Sequence, residues 1–192
     1  MKEDKSTPET ASSRQTLKET PVRLRASRPA PRTSIDQGRN TQSAETQQML
    51  NAILADEFVL YVRTLNCHWN VRGMQFHSLH AFFEELYQAS ATIIDDLAEK
   101  VRAVGGTAMA TMEEYLGNSR LKETVGSPGD PRKMISDLAD GHETVVKHLR
   151  EAFHLVEEKF DDPSTSNFIA DLLEKHEKMM WMLQTHLDRE LE

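Results

Sequence analysis

The sequence predicts an all-α protein, a four-helix bundle in which one long crossover joins the second helix to the third. Four stretches carry apolar residues at every third or fourth position, which is the spacing of an amphipathic helix. Only 6% of the 192 residues are aromatic, and just 8 are Gly and 7 Pro, a composition typical of helices rather than sheets. A chain of this length can bury one sizeable core.

The first 42 residues have a different composition from the rest of the chain. They are rich in Ser, Thr, Pro and Arg and lack apolar periodicity, and Pro21, Pro29 and Pro31 would each interrupt a helix. We therefore predict a disordered basic arm over residues 1–42 and the bundle over residues 43–192. Residues 14–39 hold seven Lys or Arg and two acids. We predict that such an arm binds DNA phosphates without reading sequence, and the alternative is a plain solubilising role.

Charge is distributed unevenly between arm and body. Residues 1–45 contain nine Lys or Arg and six acids, whereas residues 46–192 contain 14 and 25. The acidic body argues against DNA binding by the bundle surface and is compatible with attracting cations. The single cysteine, Cys67, cannot form an internal disulfide, and no apolar leader or long apolar run is present. We expect a cytoplasmic protein, associated with the nucleoid if the arm binds DNA.

The first two helices are predicted to form a long hairpin. The first runs from Ser43, carries an apolar residue on every turn, and ends before Gly73. The second follows that glycine and ends at Gly105 and Gly106.

The second half of the bundle is marked by two Asp-Pro pairs. Asp130-Pro131 and Asp162-Pro163 each combine an N-cap acid with a proline at the first helical position, and predict the starts of the third and fourth helices. The crossover before them contains one short apolar piece around residues 112–116, a short extra helix. Gly141 in the middle of the third helix contradicts the pattern locally, at about 1 kcal/mol relative to alanine.

Two pairs of polar residues on the second helix are candidate metal ligands. His80 with Glu84, and Asp95 with Glu99, are each spaced i, i+4, and all four residues share one stripe of the helix. Either pair alone is more often a solvated helix face. The midpoints of the two pairs lie about 22 Å apart at 1.5 Å per residue, so the pairs cannot hold one metal within one chain.

The two pairs could meet between chains. If two copies of the second helix run antiparallel about a two-fold axis between Ala89 and Ser90, residue i faces residue 179 − i, and each pair meets the other pair of the partner. His68, near the end of the first helix, would lie beside His80 in an antiparallel hairpin. Mixed nitrogen and oxygen ligands with open positions suit Fe(II) and its oxidation.

The segment "HWNVRGMQFHSLHAFFEELY", followed by "DDLAEKVRAVGG", resembles the Dps family of mini-ferritins. The resemblance covers residues from about 45 to 192. The ferroxidase pattern of that family falls without a gap on five residues of this chain: His68, His80, Glu84, Asp95 and Glu99. Trp69 occupies the position of a tryptophan that the family places beside the site. Glu84 is a departure, because many members carry Asp there.

This resemblance implies a ferritin-like fold assembled as a hollow homododecamer. It further implies a di-iron (Fe²⁺/Fe³⁺) site shared between two subunits, with two-fold interfaces along the second helix. At that site a ferroxidase would oxidise ferrous iron, preferably with hydrogen peroxide, and Trp69 would relay an electron. Storage of ferric mineral inside the cage would protect DNA from oxidative damage.

The histidines of the third helix do not form a second metal site in the sequence pattern. His142, His148 and His154 are spaced by six residues and share no helix face, so we predict that they lie on the surface. Glu151 and His154 form one Glu-x-x-His motif, whereas a di-iron site inside the bundle needs a second such motif on another helix. None occurs on the second or fourth helix, and no such site is predicted.

Overall fold

The computed structural model describes residues 34–123, 125–126 and 129–188, with side chains described from residue 42 onward. Its elements are α1 (Ser34–Asn70), α2 (Phe76–Ala103), α3 (Met112–Asn118), α4 (Pro131–Leu155), a π-helical turn (Val156–Phe160) and α5 (Pro163–Thr185). The four long helices form the bundle and α3 lies in the crossover, so the predicted fold class and extra helix are confirmed. No helix in these ranges is long and apolar enough to span a membrane.

Helix α1 begins earlier than the sequence predicted. It starts at Ser34 rather than Ser43, so residues 34–42, which the prediction assigned to the arm, are helical. An established helix gains one hydrogen bond for each residue it adds, which allows it to extend into a polar stretch that carries no proline. Ser43 Oγ donates to Val104 O at 3.1 Å, and Gln42 donates to Phe160 O, so this end of α1 is attached to the bundle. The rest of the predicted arm, residues 1–33, lies outside the described residues.

The two Asp-Pro pairs start α4 and α5 as predicted. The Asp130 side chain accepts a hydrogen bond from the backbone N–H of Lys133. The Asp162 side chain accepts from the backbone N–H groups of Ser164 and Thr165, and its other oxygen accepts from the Thr165 hydroxyl at 2.6 Å. These bonds satisfy N–H groups that have no partner within the helix.

The core is filled by apolar residues from all four long helices. The large side chains that are completely buried include Leu50, Leu54, Leu60, Leu79, Phe83, Ile93, Leu97, Met134, Leu138, Leu149 and Ile169. They recur at the predicted helical spacing, so the apolar stripes seen in the sequence are the faces that pack together.

Gly141 marks a close approach between α1 and α4. A Cβ atom at this position would lie 2.8 Å from Leu60 Cδ1 and 3.3 Å from a guanidinium nitrogen of Arg63. The glycine that weakened the helix prediction is therefore required by packing, because α1 occupies the space that a side chain would fill. Helix α4 continues through it without a break.

A buried carboxylate fastens the crossover to α1. Asp56 is fully buried and accepts hydrogen bonds from the backbone N–H of Arg120 at 2.6 Å, from Arg120 Nε at 2.7 Å and from Ser119 Oγ at 3.0 Å. His148 Nδ1 on α4 lies 3.5 Å from the same carboxylate. The segment that follows α3 is thereby held to the bundle by charge-assisted hydrogen bonds.

Candidate metal centre

His68 and His80 hold each other in place at the turn between α1 and α2. His68 Nδ1 lies 2.8 Å from the carbonyl oxygen of His80, and His80 Nδ1 lies 2.9 Å from the carbonyl oxygen of His68. A carbonyl only accepts, so each Nδ1 must donate. In the neutral rings each Nε2 then keeps its lone pair, which is the form of histidine that binds a metal.

The turn geometry brings the two rings together. The backbone reverses through Gly73, whose φ of 105° is a conformation that favours glycine. The two imidazoles stack with ring centroids 3.8 Å apart. The ring of Phe76 also stacks on that of His80, with centroids 5.1 Å apart. His68 is buried and His80 is partly buried, so both rings have fixed orientations.

Glu84 lies one helical turn beyond His80 and is partly buried. Its Oε1 accepts hydrogen bonds from Tyr87 Oη and from Gln88 Nε2, both at 3.3 Å. No described residue donates to Oε2. Tyr87 and Gln88 were not predicted as part of the site, although their i+3 and i+4 spacing from Glu84 is visible in the sequence.

Asp95 and Glu99 lie on the exposed side of α2, away from the histidines along the helix. Neither carboxylate is hydrogen-bonded or ion-paired to another described residue. The structure thus brings two of the five predicted ligands, His68 and His80, into direct contact, places Glu84 one helical turn further along α2, and leaves the two acids apart. Among the residues with described side chains, no three His, Cys, Asp or Glu are arranged to hold a metal ion within the chain.

Exposed apolar side chains surround the histidine turn. Trp69 is 70% exposed, Met74 is completely exposed and Phe76 is 45% exposed. Apolar side chains of this size on one surface commonly mark a region that another protein covers.

The small residues in the middle of α2 are divided between two faces. Ala89 and Ala91 are exposed, as a close helix crossing requires, whereas Ser90 is only 1% exposed and points into the bundle core. Only the alanines of the predicted crossing are thus available to a partner chain.

The prediction that His142 lies on the surface is wrong, and the same prediction for His148 is only partly right. His142 is 1% exposed, His148 is partly buried and His154 is exposed. Burial, followed by the nearby charges of His176 and Arg63, holds the pKa of His142 well below its usual range. The three histidines are spaced by six residues and therefore lie on three different faces of α4. The spacing alone does not reveal that the face of His142 packs into the core.

His142 belongs to a polar chain through the core. Its Nδ1 lies 3.0 Å from His176 Nδ1 on α5, and His176 Nε2 lies 2.8 Å from Glu57 Oε1 on α1. Both of these partners are completely buried. Glu57 and His142 lie at different nitrogens of the His176 ring, so the three groups form a buried polar chain and do not converge on one metal. Glu57 and His176 were missed, although each is a polar residue at an apolar position of its helix.

The fold defines the class of protein as a ferritin-like bundle. The family profile described as a Ferritin-like domain matches residues 47–191. DNA protection during starvation protein 2 of Bacillus anthracis is 36% identical over 74% of this chain and 96% of its own length. A low-temperature-induced protein of Nostoc is 37% identical over 73% of this chain and 78% of its own length.

Solved structures give the same result. The crystal structure of the Dps protein of Vibrio cholerae O1, described as a member of a broad superfamily of ferritin-like diiron-carboxylate proteins, superposes with a TM-score of 0.73. It is 34% identical, and the match covers 77% of this chain and 92% of that one. The chain belongs to the Dps family of ferritin-like proteins.

Proposed function

We propose that the protein oxidises ferrous iron with hydrogen peroxide at sites shared between two chains and stores the ferric product in a twelve-chain cage. His68, His80 and Glu84 of one chain bind the ferrous substrate, and the partner's Asp95 and Glu99 complete the site. Two ferrous ions each give one electron to a peroxide molecule, which with two protons becomes two molecules of water. This paired step avoids release of hydroxyl radical, and Trp69 beside His68 serves as an electron relay.

The reciprocal hydrogen bonds of His68 and His80 carry this proposal. They commit each Nδ1 to donate to a backbone carbonyl, so that in the neutral ring each Nε2 keeps its lone pair, as in a histidine oriented for metal binding. Two imidazoles and one carboxylate are a mixed nitrogen and oxygen donor set that suits Fe(II). Two features support completion of the site by a second chain: the acids further along α2 have no partner among the described residues, and apolar surface is exposed around the turn.

A complementation experiment tests the shared site directly. One variant carries His68→Ala and His80→Ala, and a second carries Asp95→Asn and Glu99→Gln. Each should be inactive alone in stopped-flow iron oxidation. When the two are co-assembled in equal amounts, half of the two-fold pairs are mixed, and each mixed pair contains one complete and one empty site.

Co-assembly should therefore restore about a quarter of wild-type activity per chain. His154→Ala, which removes an exposed histidine on α4, is the matched control and should leave the rate unchanged. An inactive mixture, with both variants assembled, would place the reaction within one chain or elsewhere. Light scattering should give a particle near twelve chains, and a stable active monomer would contradict the proposal.

The predicted basic arm supports a second activity, non-specific DNA binding. Residues 1–33 hold eight Lys or Arg and four acids, and several arms on one cage would act together. A truncation should begin at Ser34, because removal of residues 34–42 would also shorten α1. We expect the full chain to shift DNA in a gel without Mg²⁺, with affinity that falls steeply as salt rises, and the truncated chain to lose most of this binding.

Iron oxidation should survive the truncation, because all the proposed ligands lie at or beyond His68. Equal DNA binding by both forms would instead place the contact on the bundle. No binding by either form would leave the arm with a solubilising role and restrict the function to iron and peroxide.

A further inference from the structure

Tyr87 contacts two of the proposed metal ligands of its own chain, Glu84 and His68. Its hydroxyl lies 3.3 Å from Glu84 Oε1, and its ring stands at 72° to the ring of His68, with centroids 5.1 Å apart. The tyrosine is partly buried, on the turn of α2 that follows Glu84. It therefore connects the carboxylate on α2 with the imidazole on α1.

The hydrogen bonds to Glu84 are all on one of its two oxygens. Tyr87 and Gln88 both donate to Oε1, and within the described part of the chain nothing donates to Oε2. A glutamate side chain has three rotatable bonds and loses considerable freedom when it is fixed. Restraint of Oε1 before metal arrives means that less freedom is lost on binding, and that Oε2 is the oxygen left for the metal.

The ring of Tyr87 is itself restrained from behind. Tyr61 on α1 packs against it with ring centroids 6.3 Å apart and an interplanar angle of 76°, within the range of edge-to-face aromatic pairs. These contacts with His68 and Tyr61 restrain the ring whose hydroxyl donates to Glu84. The orientation of the carboxylate thus depends on packing between α1 and α2.

We propose that Tyr87 is a positioning residue of the metal centre, which holds Glu84 through its hydroxyl and supports His68 through its ring. This inference rests on the proposed function, since it assumes that Glu84 and His68 bind a metal. Loss of a group that hydrogen-bonds a metal ligand typically lowers metal affinity by ten- to a hundredfold. The bond from Tyr87 is long at 3.3 Å and Gln88 shares the same oxygen, so the loss should be near tenfold.

The test measures Co²⁺ binding to the assembled protein by calorimetry and by the visible absorption of the bound ion. Tyr87→Phe keeps the ring and removes the hydroxyl, and should weaken Co²⁺ binding about tenfold. In iron oxidation the same variant should raise the KM for Fe²⁺ and leave kcat nearly unchanged. Tyr61→Phe, which removes a hydroxyl one ring further from Glu84, is the matched control and should bind Co²⁺ as the wild type does.

A double-mutant comparison separates positioning from a general structural effect. If Tyr87 acts through Glu84, then Tyr87→Phe should change Co²⁺ affinity by less than about twofold when Glu84→Gln is already present. The same tenfold loss in that background would overturn the proposal, as would wild-type affinity in the single variant. If His68→Ala also leaves Co²⁺ affinity unchanged, the proposed metal centre fails as well, so the two failures are distinguishable.

Discussion

Acidification should destabilise the bundle through His142 on α4. This imidazole is completely enclosed, next to His176 on α5 and Arg63 on α1, and its pKa is held well below the usual 6.5. Beyond His176 lies the carboxylate of Glu57 on α1, so these are the charged groups that face it. In the unfolded chain the same imidazole takes up a proton near pH 6.5. The unfolded state therefore binds more protons below that pH, and stability falls as pH falls.

The unfolded imidazole sets the upper limit of the effect, which is reached when the folded protein takes up no proton at His142 over the pH range tested. At that limit each pH unit well below 6.5 lowers the free energy of unfolding by about 1.4 kcal/mol, and the loss between pH 7 and pH 5 is at most about 2 kcal/mol per chain. His142→Asn keeps a polar atom near the position of Nδ1 but cannot titrate. It should lack this part of the pH dependence.

The assay is denaturant unfolding followed by circular dichroism, at pH 7 and pH 5 and at fixed protein concentration. The stability lost by the wild type should exceed that lost by His142→Asn by up to about 2 kcal/mol. His154→Asn, at an exposed position on the same helix, is the control and should behave as the wild type. If wild type and His142→Asn lose the same stability within about 0.5 kcal/mol, His142 is not neutral in the folded protein and the argument fails.

Two further predictions concern Asp56 and Cys67. Arg120→Ala should lower the free energy of unfolding by about 3 kcal/mol, which is the lower end of the range for a broken buried ion pair. The lower end applies because the Ser119 hydroxyl and a backbone N–H still donate to Asp56. Denaturant unfolding measures this loss, and Lys133→Ala, which removes a surface ion pair, should cost no more than about 0.5 kcal/mol. Burial raises the pKa of the Cys67 thiol from 9.0 to about 12, so a thiol reagent at pH 8 should react roughly a thousandfold more slowly with folded than with unfolded protein. Equal rates in the two states would contradict this burial.

The sequence predicted the features that depend on local chemistry. The Asp-Pro pairs at Asp130 and Asp162 set the starts of α4 and α5, because a cap and a proline act within one turn. Features that depend on contacts between helices were missed or misread. Gly141 weakened the prediction of α4, and only the close approach of α1 explains why a glycine is needed there. The buried polar groups from Glu57 to His142 come from three helices, which no local sequence pattern connects.

In the candidate site, too, the local features were predicted from the sequence and the contacts between helices were not. The ligand types and spacing were visible in one helix, but the mutual hydrogen bonds of His68 and His80 join residues twelve positions apart on two helices. Tyr87 was missed because its importance lies in which side chains it touches rather than in its spacing. Asp95 and Glu99 remain predictions, since their proposed partners belong to another chain.

The buried polar chain of Glu57, His176 and His142 also affects which register of the helices is stable. Leucines and methionines can exchange neighbours at small cost, so an apolar bundle tolerates helices that slide by a turn. A shift of α1, α4 or α5 by one turn would instead leave a carboxylate in the core without a partner, at a cost of several kcal/mol. The polar chain therefore selects one register of the helices. It adds little to the free energy with which the helices associate, but it makes other alignments unfavourable.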